Sequence, residues 1–262
     1  MSKEKSTTAI RANRIFDGQH WHADSAVLVS DERISGIYRV TEIPAGAEVT
    51  GPVDLLAPGF IDVQVNGGGG ALFNASPTPD CLRTIVAGHR ATGTTGMMPT
   101  VVSDDREIAE AAVDAVRTLQ AEGEASVLGI HMEGPYLAPV KRGVHAESKL
   151  RVLDEDDLSW LISLTDLRVL LTVAPEIVSA EQIARLAQAG IIVSGGHSQA
   201  SFETTRGAID AGLTGFTHLF NAMPAVSARE PGIVSAALTD RATWAGIIAD
   251  GHHVHPANIR LA

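Results

Sequence analysis

From about residue 55 onward, apolar segments alternate with amphipathic segments, and this alternation restricts the fold more than any other feature of the sequence. Continuous apolar strands separated by helices are typical of a parallel sheet covered by helices on its faces. Seven such strands approach the eight of a closed barrel. The predicted strands are residues 55–65, 94–102, 126–132, 167–174, 191–194, 215–218 and 243–249, and the predicted helices are residues 80–91, 105–122, 154–164, 180–189, 201–211 and 233–238.

Polar side chains mark the ends of the predicted strands. Glu133, His197 and His218 lie at three of these ends, and other polar residues close the remaining strands. In a (β/α)₈ TIM-type barrel the active site lies at the carboxyl ends of the strands, whereas a doubly wound sheet gathers such groups mainly at its switch point. The pattern therefore predicts an α/β fold with a TIM-type barrel, of which about seven strands lie within this chain.

The N-terminal part has a different pattern, in which short strands are separated by turns. Residues 10–16, 26–30 and 33–40 are predicted strands, and no helical periodicity interrupts them. This predicts a small β-sandwich unit over residues 1–56, followed by the barrel over residues 57–262.

Composition excludes several classes of partner. The formal net charge is −11 and the pI is about 5.3, which argues against nucleic acid or an anionic membrane surface as the main partner. No apolar run approaches the ~18 residues of a spanning helix, and the opening residues lack the apolar region of a signal peptide. The single cysteine, Cys81, fits a reducing compartment. These features predict a cytoplasmic protein without nucleic-acid or membrane partners.

Glu133, His197 and His218 provide one carboxylate and two imidazoles from three strand ends. Ionised carboxylates are rarely buried unless they are paired or bound to metal, and a catalytic zinc site uses three ligands of this kind with a fourth position for water. Each histidine alone could instead be a hydrogen-bonded core residue. The glycine pair before His197 and the apolar neighbours of His218 favour metal binding. His131, two residues before Glu133, is interpreted as support for the ligands.

Five segments of the sequence occur in one order with plausible separations and are specific in combination. They are residues 58–67, 129–137, 195–198, 217–223 and 249–253. Through these segments the chain resembles the N-acetylglucosamine-6-phosphate deacetylase family of the amidohydrolase superfamily. The resemblance implies metal-dependent hydrolysis of the acetamide of N-acetylglucosamine 6-phosphate, which releases acetate and glucosamine 6-phosphate.

The resemblance also implies which residues hold the metal. Glu133, His197 and His218 match the family's metal ligands. The His-x-His motif that usually ends the first strand in the superfamily is replaced by Gln64-x-Asn66. Amides are poorer cation ligands than imidazoles, so we expect one divalent ion and a vestigial second position. Zinc suits two histidines and one glutamate, and iron, cobalt and manganese are alternatives.

Further positions match substrate contacts of the family. His145 matches a catalytic histidine that holds and polarises the acetyl carbonyl, and His253 matches a histidine near the sugar phosphate. The backbone around Asn221 and Ala222 and the side chain of Arg229 match phosphate contacts. In similar enzymes that arginine reaches across a dimer interface. The resemblance therefore implies an amino-sugar phosphate and a second copy of the chain as partners.

The family's acid-base aspartate lies on an eighth barrel strand, and the resemblance places that strand beyond residue 262. The chain by itself is therefore expected to be inactive or very weak, and prone to aggregate. Two alternatives follow. The chain could be a non-catalytic fragment that binds the metal or the sugar phosphate, or an amidohydrolase for another N-acyl amino sugar. The sequence does not decide between glucosamine and galactosamine phosphates.

Overall fold

The computed structural model describes residues 7–262, which divide into two compact units, one ending at Phe60 and one comprising Ile61–Ala262. The division into domains at residues 1–56 and 57–262 stays a prediction. The strands are β1 (Thr7–Phe16), β2 (Trp21–Ser30), β3 (Arg33–Arg39), β4 (Glu48–Leu56), β5 (Phe60–Val65), β6 (Gly67–Gly68), β7 (Ala71–Leu72), β8 (Thr94–Val102), β9 (Ile130–Glu133), β10 (Val169–Val173), β11 (Ile192–Gly195), β12 (Leu213–Phe216) and β13 (Trp244–Ala245). The helices are α1 (Pro79–Arg90), α2 (Arg106–Ala121), α3 (Glu155–Ser163), α4 (Ala180–Gln188), α5 (Phe202–Asp210), α6 (Gly232–Thr239) and α7 (Pro256–Leu261).

The N-terminal unit contains a four-stranded sheet in the order β3-β2-β1-β4. β1 pairs with β2 in an antiparallel register and with β4 in a parallel one. The sequence predicted the first three strands and missed β4, which contains Pro52. Proline cannot donate a ladder hydrogen bond, and β4 tolerates it because this strand lies at the edge of the sheet. The predicted strand over residues 55–65 is wrong, since its two ends belong to β4 and β5.

The second unit contains a curled, all-parallel seven-stranded sheet in the order β13-β12-β11-β10-β9-β8-β5. Each successive long strand lies beside the previous one, as in a TIM-type barrel. Every residue of β9 and β10 is buried, which explains why β10 appears as an almost continuous apolar run in the sequence. The predicted fold class, a TIM-type barrel with about seven strands and a small N-terminal β unit, is confirmed, although within residues 7–60 that unit contains one four-stranded sheet and not the two sheets of a sandwich.

The six predicted helices correspond to α1–α6, and each predicted end lies within one residue of the observed end. Local capping explains this agreement. The Ser179 hydroxyl accepts the Gln182 N–H, and the Gln182 side chain returns a bond to the Ser179 backbone, which together form a capping box. The side chains of Thr78 and Asp154 cap α1 and α3 by accepting the backbone N–H groups of Cys81 and Asp157.

The longest described helix, α2, has 16 residues, whereas a membrane-spanning helix needs about 20 apolar residues. None of the helices within residues 7–262 is both long enough and apolar enough to cross a bilayer.

A buried carboxylate joins two helices and a loop on the outer side of the sheet. Arg106 and Arg151 donate to separate oxygens of Asp157, over 2.9 and 2.7 Å, and only 6% of Asp157 is exposed. Burial raises the pKa of the Asp157 carboxyl, but hydrogen bonds from Arg151, Tyr136 and Arg106 outweigh this effect and hold the pKa below its usual value. The group is therefore ionised when the protein is folded at neutral pH.

We expect Asp157→Asn to lower the free energy of unfolding at pH 7 by about 1–3 kcal/mol, because two half-buried arginine side chains lose their charged acceptor. A carboxyl whose pKa is lowered by folding stabilises the fold fully above its unfolded pKa of about 3.9, and this stabilisation is lost as the pH falls through the folded-state pKa. Urea denaturation should therefore show the difference from wild type shrinking below about pH 4.

The matched control is Asp210→Asn, because the Asp210 side chain is 72% exposed and lies 3.5 Å from Arg206. This variant should change the free energy of unfolding by less than about 0.5 kcal/mol. Equal losses in the two variants, or a difference independent of pH, would contradict the interpretation.

Candidate metal centre

Three strands position the predicted ligands at the carboxyl edge of the sheet. Glu133 is the last residue of β9, whereas His197 and His218 lie in the turns just after β11 and β12. Both histidines have a positive φ, of 46° and 36°, which is uncommon for residues other than glycine and is found at functional sites. The backbone N–H of Ala138 donates to the His197 carbonyl over 3.0 Å. The fold therefore holds both turns in an unusual conformation.

The three ligand atoms converge. Glu133 Oε1 lies 3.0 Å from His197 Nε2 and 3.0 Å from His218 Nε2, and the two nitrogens lie 3.0 Å from each other. All three residues are buried, with at most 7% exposure. Within residues 7–262 this is the single group of three or more histidine, cysteine or acidic side chains whose ligand atoms all lie within 4.8 Å of one another.

The hydrogen bond at Nδ1 of His197 determines whether its Nε2 directs a proton or a lone pair towards the carboxylate. His197 Nδ1 lies 2.8 Å from the Lys141 carbonyl oxygen, and a carbonyl only accepts, so Nδ1 carries a proton. In the neutral ring Nε2 then directs a lone pair towards Glu133 Oε1. This lone pair faces the carboxylate oxygen across 3.0 Å, and a cation shared by the two groups would relieve the repulsion between them.

The donor set therefore fits a divalent cation. Zinc bonds imidazole nitrogen and carboxylate oxygen at about 2.0–2.2 Å, so a tetrahedral ion places neighbouring ligand atoms roughly 3.3–3.6 Å apart, which is slightly more than the 3.0 Å between these atoms. Burial raises the pKa of the Glu133 carboxyl, but the imidazole rings of His197 and His218 beside it outweigh this effect, so the pKa lies well below its usual value. The carboxylate is ionised and available as a ligand.

Glu133 also accepts a hydrogen bond from Gln64, whose Nε2 lies 2.9 Å from Oε1. The Gln64 amide thus orients the ligand carboxylate. The neighbouring Asn66 accepts the Phe73 N–H with its backbone carbonyl, and its side chain makes no hydrogen bond within the described residues. The two amides of the Gln64-x-Asn66 motif therefore differ in their contacts.

His145 places a hydrogen-bond donor beside the cluster. Its Nδ1 accepts the backbone N–H of Ser103 over 3.2 Å, so the proton of the neutral ring is on Nε2. Burial lowers the pKa of His145 to about 4, which keeps the ring neutral. Nε2 lies 3.9 Å from Glu133 Oε2 and, in the part of the chain that the structure describes, has no hydrogen-bond partner. A buried N–H therefore faces the site and can bind an oxygen of a ligand.

His131 lies beneath the cluster and not in it. Its Nδ1 donates to the Val63 carbonyl over 2.9 Å, and its Nε2 lies 2.7 Å from the Thr172 hydroxyl. Burial lowers the pKa of His131 to about 4, so the ring is neutral. Both ring nitrogens are engaged with groups other than the three ligand side chains.

The remaining predicted site residues are less closely connected. The Ala222 carbonyl accepts the Ser198 N–H over 3.1 Å, which ties residues 219–222 to the His197 turn. The buried Asn221 Nδ2 has no hydrogen-bond partner among residues 7–262. Arg229 is exposed, and His253, which is hydrogen-bonded to Asp250 over 2.7 Å, is also exposed. No hydrogen bond or ion pair within the described chain joins Arg229 or His253 to the Glu133 cluster.

The sequence did not reveal the groups that form hydrogen bonds with the Nδ1 atoms of His197 and His145, on the side of each ring that faces away from the cluster. Lys141 acts through its backbone carbonyl and Ser103 partly through its backbone N–H, and every residue type except proline offers both. Thr172 could have been noticed, because it is the one polar residue in the otherwise apolar strand β10.

A curled parallel sheet that carries a glutamate and two histidines at its carboxyl edge places the protein among the amidohydrolase-type barrels. No family model matches the sequence. The chain is 51% identical over 209 residues to an N-acetylgalactosamine-6-phosphate deacetylase of Shewanella sp. (strain ANA-3), a match that covers 79% of this chain and 52% of the relative. It is 36% identical over 261 residues to an N-acetylgalactosamine-6-phosphate deacetylase of Escherichia coli O157:H7, which covers 97% of this chain and 67% of the relative.

Among solved structures, the N-acetylglucosamine-6-phosphate deacetylase of Pasteurella multocida superimposes with a TM-score of 0.89 at 33% identity, covering 97% of this chain and 68% of that one. The chain belongs to the family of N-acetylglucosamine- and N-acetylgalactosamine-6-phosphate deacetylases. It spans about half the length of the Shewanella relative.

The close approach beside His197 gives a test of the site's packing. A Cβ at Gly196 would lie 2.8 Å from Thr172 Cγ2 and 3.1 Å from Thr217 Cβ. We expect Gly196→Ala to lower the free energy of unfolding by about 1–3 kcal/mol, because an added methyl in a packed interior forces its neighbours apart. Urea denaturation measures the change.

Gly207→Ala is the matched control, since a Cβ at this position in α5 would have no atom within 4 Å. Alanine is the better helix former, so this variant should gain up to about 1 kcal/mol. An unchanged stability of Gly196→Ala would show that the packing at this turn is looser than the structure indicates.

Proposed function

We propose that the protein is a metal-dependent hydrolase that removes the acetyl group from N-acetylglucosamine 6-phosphate and releases acetate and glucosamine 6-phosphate. The convergence of Glu133, His197 and His218 on one point supports this proposal most strongly. Solved relatives named as deacetylases of this substrate give independent support. A non-catalytic role for the site gains no support from the relatives.

Within this proposal one divalent ion, zinc before iron, cobalt or manganese, is held by Glu133, His197 and His218. Three protein ligands leave a coordination position open. Gln64 supports a single ion, because its amide N–H already binds Glu133 Oε1. When bound, the metal supplies an activated water and polarises the carbonyl under attack.

The chain's own residues bind and orient the substrate around that ion. His145 Nε2–H is the proposed donor to the acetyl oxygen, where it would stabilise developing negative charge. The backbone N–H of Ser103 fixes the tautomer and the orientation of the His145 ring through its bond to Nδ1. The free Asn221 Nδ2 donor and the Ala222 backbone are proposed phosphate contacts, together with His253 and Arg229.

Arg229 is proposed to act in the site of a second copy, which would make the protein a homodimer. Its exposure and its lack of an ion pair within residues 7–262 leave the guanidinium available for a phosphate. We also propose a cytoplasmic location, supported by the single cysteine and by a phosphorylated sugar as substrate.

N-acetylgalactosamine 6-phosphate is a second candidate substrate. The Shewanella relative at 51% identity is named for the galactosamine compound, whereas the Haemophilus influenzae relative named for the glucosamine compound is 35% identical. Measuring kcat/KM for acetate release from both sugar phosphates decides between them. Release from neither compound by a metal-loaded protein that includes the eighth barrel strand would contradict the proposed function.

In a protein that includes that strand, we expect chelation to abolish acetate release and added zinc to restore it. Glu133→Gln should keep the shape of the side chain, remove its charge and weaken zinc binding by at least roughly 100-fold, the upper limit for a residue that merely supports a ligand. Zinc affinity is measured by competition with a chromogenic chelator. His20→Asn is the control, because the His20 side chain is 75% exposed. Retained zinc affinity in Glu133→Gln would contradict the ligand assignment.

His145→Ala tests the donor separately from the metal. Removal of one preorganised donor to a developing oxyanion typically costs about 10²–10³ in kcat, and we expect a loss of this size with unchanged zinc affinity. His255→Ala is the control, since the ring of His255 caps α7 and lies on the surface. If His145→Ala loses zinc instead, the histidine belongs to the ligand set.

A further inference from the structure

Five polar side chains form a buried layer inside the barrel, directly beneath the candidate metal centre. TIM-type barrels usually fill this position with bulky aliphatic residues. Here the layer is polar, and no member is more than 4% exposed. Its members, called the interior polar layer, are Thr100, His131, Thr172, Ser194 and Thr217.

Four of these side chains form a continuous chain of hydrogen bonds. Ser194 Oγ lies 2.8 Å from Thr217 Oγ1, which lies 2.6 Å from Thr172 Oγ1, and Thr172 Oγ1 lies 2.7 Å from His131 Nε2. His131 Nδ1 donates to the Val63 carbonyl. Because that carbonyl only accepts, the neutral ring accepts at Nε2 and Thr172 is its donor. Thr217 must then donate to Thr172, and Ser194 must donate to Thr217. All the hydrogen bonds of the series therefore run in one direction.

This series of hydrogen bonds connects the strands that carry two of the metal ligands. His131 lies two residues before Glu133 on β9, and Thr217 immediately precedes His218. Thr172 lies on β10, which carries no ligand, and it is the link between these two members.

The bond between Thr172 and Thr217 bypasses a strand. β11 lies between β10 and β12 in the sheet, so this bond crosses the inner face of the barrel in front of β11. Gly196, just after β11, makes room for it, since a Cβ there would contact both threonines. The strands that precede His218 and end at Glu133 are therefore connected through the Thr172 and Thr217 hydroxyls as well as through the backbone hydrogen bonds of the sheet.

We propose that Thr172 is a positioning residue, whose hydroxyl fixes the spacing between Glu133 and His218 at which both bind one divalent cation. This inference rests on the metal-dependent function proposed above. Supporting residues of metal ligands commonly alter metal affinity by roughly 10- to 100-fold when they are removed. Thr172 contacts none of the ligand side chains by hydrogen bond, and it acts through His131 and Thr217.

The experiment compares three variants of the protein. Thr172→Val keeps the volume and removes the hydroxyl, and Thr172→Ser keeps the hydroxyl. Thr205→Val removes a fully buried hydroxyl that is bonded to the Ser201 carbonyl in α5, away from the interior polar layer. Zinc affinity is measured by chelator competition, ligand geometry by the visible absorption of the Co²⁺-loaded protein, and stability by urea denaturation of the metal-free protein.

We expect Thr172→Val to lower zinc affinity roughly 10- to 100-fold and to shift the Co²⁺ spectrum, and we expect Thr172→Ser to restore both. Thr205→Val should lose stability and keep wild-type affinity and spectrum. Wild-type affinity and spectrum in Thr172→Val, with a stability loss like that of Thr205→Val, would overturn the positioning role.

Thr217→Val provides the same comparison if Thr172→Val fails to fold, because it removes the hydroxyl that donates to Thr172. Unchanged affinity in that variant would also overturn the proposal. Failure of the wild-type protein to bind either Zn²⁺ or Co²⁺ would instead overturn the proposed metal centre, and the positioning role with it.

Discussion

The structure depends on one electrostatic constraint, the convergence of the Glu133 carboxylate with the Nε2 atoms of two histidines at 3.0 Å. The Glu133 oxygen and the lone pair of His197 Nε2 repel each other in this buried pocket unless positive charge lies between them. The fold tolerates this arrangement because three parallel strands end at the same edge and because both histidine turns are held in left-handed backbone conformations. A divalent cation is the group that makes the arrangement favourable.

The site is held from two sides. From outside, residues 134–154 between β9 and α3 cover it, and this segment provides the Lys141 carbonyl for His197 and the ring of His145. Lys141 also donates through Nζ to the Met223 carbonyl, which joins the covering segment to the turn that follows His218. From inside, His131 and the hydroxyl chain lie beneath the ligands. The orientation of the ligand side chains is thus fixed by backbone groups of the covering segment on the outer side and by hydrogen-bonded side chains on the inner side.

The sequence predicted the barrel and its helices well because those signals are local. Capping residues such as Ser179 and Asp154 mark helix ends, and the buried strands appear as apolar runs. β4 was missed because Pro52 argues against a strand unless its edge position is known. β13 comprises Trp244–Ala245 alone, so the strand predicted over residues 243–249 is too long, since apolar composition alone does not define a ladder.

Within the site, residue types and strand ends were enough to select Glu133, His197 and His218 as one group, and the structure brings their ligand atoms together. The sequence could not reveal the hydrogen bond from His197 to the Lys141 carbonyl, because 56 residues separate the two and a backbone carbonyl has no signature. It also could not show that Thr172 meets Thr217, a contact across 45 residues that depends on sheet curvature.

The most direct test of the central claim is anomalous X-ray diffraction at the zinc absorption edge from crystals of the protein grown with zinc. The expected result is one anomalous peak bonded to Glu133 Oε1, His197 Nε2 and His218 Nε2 at about 2.0–2.2 Å. The contradictory result is a zinc-free cluster, with the two imidazoles and the carboxylate joined directly by hydrogen bonds and any zinc bound elsewhere on the surface.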